Sequence, residues 1–293
     1  VLARQETTLV MVILVIGALS ASRSGLFLTQ DNVIEIFRSS VIYFVVGCGA
    51  AMLIIGGGLD FSAGAVFTLS ALMTSKMLVA AVPWPIAVAG GLALAAGVGI
   101  LNHLVISYWH VPPIIATLGV FYMLTGVDNL VTDGYDVLPL PQVVQDIGQG
   151  SILGVPNVVA IAIVVGAAFW FLLERTRFGI NVRALGGNRD AAVANGLRVR
   201  RIDLALYVLA AVTAGLAGII YSARVGAGQA GELVVVGAAA GAEHHGEGGE
   251  ADDVGQRVDG ELEAPLVLPL LPAAVHHLHL VVPEELEDPE RVR

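Results

Sequence analysis

Long apolar runs separated by short polar clusters fill the first three quarters of the chain and define seven segments of spanning length. They are Thr7 to Ser22, Ser40 to Leu59, Phe61 to Val82, Trp84 to Ser107, Ile114 to Val131, Val155 to Leu173 and Leu204 to Ala223. A helix of about 20 apolar residues crosses the hydrocarbon core of a bilayer. From Ser39 to Val127 the only Asp, Glu, Lys or Arg residues are Asp60 and Lys76, so this stretch alone crosses several times. The pattern predicts an all-α fold, a polytopic transmembrane helix bundle. Two readings of the first segment stand: a true span, or a signal peptide with Arg4 before its apolar core and Ser20 and Ser22 after it. The initial Val fits an alternative start codon or a clipped N-terminus.

Within the fourth segment Ala87, Gly91, Ala95 and Gly99 recur at every fourth position and stack on one helix face, where small side chains let another backbone approach. Ala211 with Gly215 and Ala214 with Gly218 repeat the device in the seventh. These are expected packing stripes, with a hinge as the functional alternative. Pro112 and Pro113 end one helix and preset the first turn of the next.

Composition agrees: 14% of residues are charged and the mean hydropathy is +0.80, whereas soluble domains carry about a quarter charged residues. The formal charge of −10 is unevenly placed. Residues 1–230 hold 12 Lys and Arg against 11 Asp and Glu, while residues 231–293 hold 3 against 14, so the acidity belongs to the tail. Cationic loops stay on the cytoplasmic side. Seven arginines lie between Glu174 and Arg201, which places that loop in the cytoplasm, and the loop Thr132 to Gly154, with Asp133, Asp136 and Asp146 and no cation, on the opposite side. Counting spans back puts the N-terminus in the cytoplasm. Cys48, the sole cysteine, forms no intrachain disulfide and reads as a small buried hydrophobe.

No Walker A loop, GxSxG elbow, HExxH helix or CxxC pair occurs, so ATP hydrolysis, acyl transfer and metal chemistry find no motif, and no cofactor or metal site is expected. Two segments carry information. In Gly56 to Gly64, read GGGLDFSAG, glycines and an acid interrupt apolar sequence, and non-helical backbone at membrane depth must be enclosed by protein or line a cavity. Asp60 is a functional candidate as an intramembrane acid. The competing and favoured reading makes it an interfacial cap of the helix that begins near Phe61. In the basic loop, Asn188 is an N-cap, Asp190 suits the first turn of a helix and Gly196 ends it in a left-handed conformation, giving a helix of about two turns. A plain cytoplasmic connector is the alternative.

At these residues the chain resembles the ribose-type branch of ABC transporter permeases, within the branched-chain amino acid/ribose superfamily. That branch carries GGIDLSVG-like, PPFIATLG-like and RTRFG...AIGGN.EAA...G segments. Here they read GGGLDFSAG, PPIIATLG from Pro112 to Gly119, and RTRFGINVRALGGNRDAAVANGLRV from Arg175 to Val199, in family order over roughly residues 5 to 230. The resemblance implies a multi-pass permease subunit of the bacterial inner membrane that moves a sugar-like solute. It implies as partners a cytoplasmic ATP-binding subunit, a periplasmic sugar-binding protein and a second permease subunit, homo- or heterodimeric, with lipid around them and no nucleic acid. By the same resemblance Asn188, Asp190, Ala191, Ala192 and Gly196 form the coupling helix that docks on the ATPase, with Arg189-Asp190 in place of the usual Pro-Glu. Asp60, Ser62, Asn102 and Thr117 are candidates for the translocation path, or else bond a neighbouring helix. A secondary transporter or channel is the runner-up, resting on Asp60 and Lys76 alone, and Lys76 can snorkel to an interface. A purely structural anchor needs neither segment.

The resemblance stops after Gln229. Residues 231–293 form an acidic low-complexity tail in which the apolar run Ala264 to Pro283 contains Pro265, Pro269, Pro272 and Pro283, unsuited to a spanning helix. His276, His277 and His279 beside acidic stretches could suggest metal binding, but Ala, Gly, Glu, Val and Asp dominate there without helical or strand periodicity, as in low-complexity sequence. A frame shift between Gln229 and Val236 accounts for the tail, with a genuine acidic tail as the alternative.

Overall fold

The computed structural model describes residues 2–152 and 154–230. In chain order the helices are α1 (Leu2–Arg23), α2 (Gln30–Ile55), α3 (Ala63–Val79), α4 (Trp84–Tyr108), α5 (Pro113–Thr132), α6 (Gln142–Gln149), α7 (Asn157–Arg175), α8 (Arg177–Gly187), α9 (Arg189–Ala194) and α10 (Val199–Val225). A small hairpin, β1 (Ser151–Ile152) and β2 (Val155–Pro156), lies between α6 and α7. The all-α bundle is as expected, and each of the seven apolar segments falls on a helix. Of the seven, α2, α4, α5, α7 and α10 are long and apolar enough to cross a membrane by length and composition, and Val10–Arg23 of α1 and the whole of α3 are shorter apolar helices. The acidic tail lies outside the described residues.

The length of α3 has a physical reason. Its 17 residues span about 25 Å at 1.5 Å per residue, less than a hydrocarbon core of about 30 Å. It need not match the bilayer, because α4, α5 and α10 pack around it and most of its side chains are buried. Elsewhere the helices run past the apolar segments. α2 begins ten residues before Ser40 and α10 five before Leu204, so Glu35, Arg38, Arg200, Arg201 and Asp203 are helical. Backbone hydrogen bonding continues into the polar ends as long as the side chains there reach water or a partner.

At the centre stands α10, packed on α2, α3 and α4. Lipid tails are as apolar as leucine, so helices in a bilayer associate by close packing and interhelical hydrogen bonds. Both expected stripes serve this. Ala87, Gly91, Ala95 and Gly99 are buried, as are Ala211, Ala214, Gly215 and Gly218. A Cβ at Gly99 would stand 2.7 Å from the Tyr207 carbonyl oxygen and 2.8 Å from the Val208 Cα, and one at Gly218 would collide with the Phe67 backbone. The outer faces of α1 and α7 present Ile13, Leu14, Ile163, Val164 and Phe171, the surface expected against lipid.

The bundle has two chemically distinct ends. At one, Arg224 pairs with Glu35, Arg38 donates to the Gln149 carbonyl at 2.8 Å, and Gln149 donates to the Arg224 carbonyl at 2.8 Å, which joins α2, α6 and α10. Val137 bridges Gly228 here, and Lys76 donates to the Val131 carbonyl. At the other end lie α8 and α9 with the arginines: Arg183 pairs with Glu174 at 2.6 Å, and Arg200 stacks 5.4 Å over Tyr108. α6, α8 and the hairpin went unpredicted, each being too short or too polar for a span criterion to detect.

Candidate functional site

Between α2 and α3 the backbone leaves the helix from Gly56 to Ser62, with Gly57 in the left-handed region at φ 83°. Here Asp60 Oδ1 accepts from the Ser62 backbone N–H at 2.8 Å and from Ser62 Oγ at 2.6 Å, closing a turn just ahead of α3. The N-cap position belongs to Ser62, and the Asp60 carboxylate bonds one residue before the helix and, among the described residues, to no helical N–H. From α4, Asn102 Nδ2 donates to Ser62 Oγ at 2.8 Å and reaches Asp60 Oδ1 at 3.4 Å. From α5, Thr117 Oγ1 accepts from the Phe61 N–H at 3.1 Å.

All four residues nominated from sequence for the path therefore meet in one place, on two helices and a turn. Ser62, Asn102 and Thr117 are fully buried. Asn102 lies six residues from the end of α4 and Thr117 four from the start of α5, so the cluster sits about 6–9 Å inside the ends that face the arginine-rich loop. Two buried acceptors, Asp60 Oδ2 and Asn102 Oδ1, have no hydrogen-bond partner among the described residues. A buried carboxylate oxygen and amide oxygen left in this way demand donors. Asp128 Oδ1, toward the other end of α5, is unpartnered as well. Among the described residues no grouping of His, Cys, Asp and Glu suits a metal ion.

The short helix in the basic loop has clear start and stop signals. Asn188 Oδ1 accepts from the Ala191 N–H at 2.9 Å, satisfying a first-turn donor. At the other end Gly196 N donates to the Val193 carbonyl at 2.9 Å and Leu197 N to the Ala192 carbonyl at 3.1 Å, with Gly196 at φ 77°. That paired pattern closes a helix through a left-handed residue, which glycine adopts without a Cβ clash. The two alanines divide. Ala192 is 5% exposed and packs with Val182, Leu185, Ile202 and Leu206 inside the chain's own core, whereas Ala191 is exposed. The outward surface is formed by Asp190, Ala191 and Val193, the last 57% exposed.

Three contributors were not nominated from sequence. Tyr207 Oη donates to the Leu59 carbonyl at 3.3 Å, Arg189 pairs with Asp203, and Val193 supplies an exposed apolar side chain. Asp203, an acid entering an apolar run four residues before Tyr207, was the legible signal.

A multi-helix membrane bundle with a buried polar turn between spans and a capped helix projecting from its basic end defines a permease-like protein. The chain matches, over residues 32–242, the family described as the branched-chain amino acid transport system permease component, and it belongs to that family. Among its relatives is the D-allose transport system permease protein AlsC of Escherichia coli, 32% identical over 222 residues, which cover 75% of this chain and 67% of that one. The ribose import permease protein RbsC of the same species is 32% identical over 228 residues, covering 76% and 71%. An L-arabinose ABC transporter permease protein, AraH of Azospirillum brasilense, is 30% identical over 220 residues, covering 75% and 65%. No solved structure matches the chain. Family membership sets aside the secondary-transporter and channel readings, and the protein is a multi-pass membrane permease of the bacterial inner membrane.

Proposed function

We propose that the chain is the membrane-spanning subunit of an importer for a sugar-like solute, with residues 1–230 as its permease domain. The observation that carries this reading is the run of sugar permeases among its relatives, those for allose, ribose and arabinose. The polar turn supports it: Asp60 Oδ2 and Asn102 Oδ1 are buried acceptors, and a polyhydroxylated solute brings hydroxyl donors.

In this reading the arginine-rich end is cytoplasmic. Helix α9 docks on a separate ATP-binding subunit through Asp190, Ala191 and Val193, while Asn188 and Gly196 set its ends and Ala192 anchors it inward. Hydrolysis belongs to that partner, and the chain performs no chemical step of its own. A periplasmic sugar-binding protein and a second permease subunit complete the assembly. The partner's nucleotide states must favour different arrangements of the bundle for transport to follow. Asp60, Ser62, Asn102 and Thr117 lie along the path near its cytoplasmic mouth.

Uptake of radiolabelled D-ribose, D-allose and L-arabinose, set beside L-leucine, tests the reading in cells that express the chain with ATP-binding and binding-protein partners of ribose type. Accumulation of at least one sugar, above cells lacking the chain, is expected. Leucine uptake without any sugar uptake would contradict it.

A further inference from the structure

Arg189 is where this chain departs from the pattern it otherwise resembles, since a proline is usual there. The structure gives the arginine a partner. Its guanidinium meets the Asp203 carboxylate with two nitrogens, Nη1 to Oδ1 at 3.4 Å and Nη2 to Oδ2 in closer contact. The two ends are differently embedded: the Asp203 side chain is 11% exposed and that of Arg189 is 56% exposed. The acid is thus fixed in the body of α10, and the base comes from the first position of α9. His103 lies within electrostatic reach of Asp203 and of Arg200, but among the described residues the Asp203 carboxylate hydrogen-bonds to Arg189 alone.

One helical turn beyond Asp203 stands Tyr207, in the i+4 position on the same face of α10. Its hydroxyl donates to the Leu59 carbonyl, the residue before Asp60. The tyrosine lies within electrostatic reach of both Asp60 and Asp203. One face of α10 therefore holds the short helix through Asp203 and the polar turn through Tyr207.

We propose that Arg189 and Asp203 form a clasp that makes α9 move as one body with α10, and that Tyr207 passes this movement to the turn carrying Asp60 and Ser62. Arg189 and Tyr207 are positioning residues that act through Asp203 and Leu59. Without the clasp, α9 is a helix of six residues held chiefly by Ala192, and isolated helices of that length are marginal. Displacement of α9 by a docked partner would then be absorbed in the loop. A continuous link between two sites is a physical account of coupling only if breaking one joint separates them. The inference rests on the proposed docking of α9 to an ATP-binding subunit.

The test has two arms, both with the full chain in detergent or lipid. In the first, no partner is needed: hydrogen exchange over residues 188–197 is compared among the parent, Arg189→Ala, Arg189→Asp, Asp203→Arg and the double exchange Arg189→Asp/Asp203→Arg. The single variants should exchange faster by on the order of tenfold, a reduced effect for a pair with one half-exposed member. The double exchange should return toward the parent, which also excludes simple misfolding. Equal exchange in all five overturns the clasp whatever the function of the protein.

In the second arm Phe61→Cys in a Cys48→Ser background reports maleimide accessibility of the polar turn, with a ribose-type ATP-binding subunit captured and ATP added. ATP should change the labelling rate in the parent and in the double exchange, and leave it unchanged in the singles although the subunit is still captured. An ATP response of equal size in every variant, or none in the parent, overturns the relay. Failure of capture with a normal first arm would instead locate the fault in the proposed docking, and the relay would fall with it.

Discussion

Asn102 of α4 donates its side-chain amide to Ser62 Oγ at 2.8 Å, across the gap between one membrane helix and the turn that starts another. The same amide reaches Asp60. Replacement by alanine removes both bonds, and interhelical hydrogen bonds in membranes are worth about 0.6 kcal/mol on average and about 1.7 at most. Asn102→Ala should therefore lower unfolding stability in detergent by about 1–2 kcal/mol. A double-mutant cycle with Ser62→Ala should return a coupling of about 1 kcal/mol, and strict additivity would show that the bond contributes nothing.

Thr117 offers a sharper local readout, because its hydroxyl oxygen accepts from a single backbone amide, that of Phe61. Thr117→Val keeps the volume and loses the acceptor. Hydrogen exchange at the Phe61 amide should accelerate about tenfold, a loss of roughly 1.4 kcal/mol in local protection. Protection within α10 should remain as before.

The tight crossing of α4 and α10 can be separated from ordinary helix propensity by comparing two glycines on one helix. A Cβ at Gly99 would press on the Tyr207 and Val208 backbone, whereas one at Gly97 meets nothing within 4 Å. Gly99→Ala should cost about 1–3 kcal/mol through overpacking. Gly97→Ala should be neutral or slightly stabilising, since alanine is the better helix former. Thermal unfolding of the two proteins side by side decides this.

Sidedness follows from the placement of the arginines and is open to labelling. In a Cys48→Ser background, Gln142→Cys on α6 should react with a membrane-impermeant maleimide added outside spheroplasts. Asn195→Cys, after α9, should react only once the membrane is opened. The reverse pattern would invert the orientation and remove α9 from the cytoplasm.

Much of this arrangement was legible in the residues themselves. Charge-free length located every membrane helix, and four-residue spacing of small side chains identified the faces on which α4 and α10 meet. Asn188 and Gly196 fixed the ends of α9 because capping is local chemistry, set by side chains within a few positions. What escaped was of two kinds. The enclosure of α3 by other helices was hidden, since burial against protein and burial against lipid select the same apolar residues. The pairing of Arg189 with Asp203, and that of Tyr207 with Leu59 148 residues away, depend on how helices pack, which composition does not encode. Likewise Ala191 and Ala192 are equivalent in sequence, and only the packing of α9 against the core formed by α8 and α10 turns one outward and the other inward.

Import driven by a separate ATP-binding subunit requires α9 to be its docking element. The direct measurement is capture of a co-expressed ribose-type ATP-binding subunit from bacterial membranes by the parent chain, by Ala191→Glu and by Val193→Glu, two exposed positions whose substitution leaves the core untouched. Capture by the parent, with at least a tenfold loss in both variants at equal membrane insertion, is the predicted result. Equal capture by all three, or none by the parent, would contradict it.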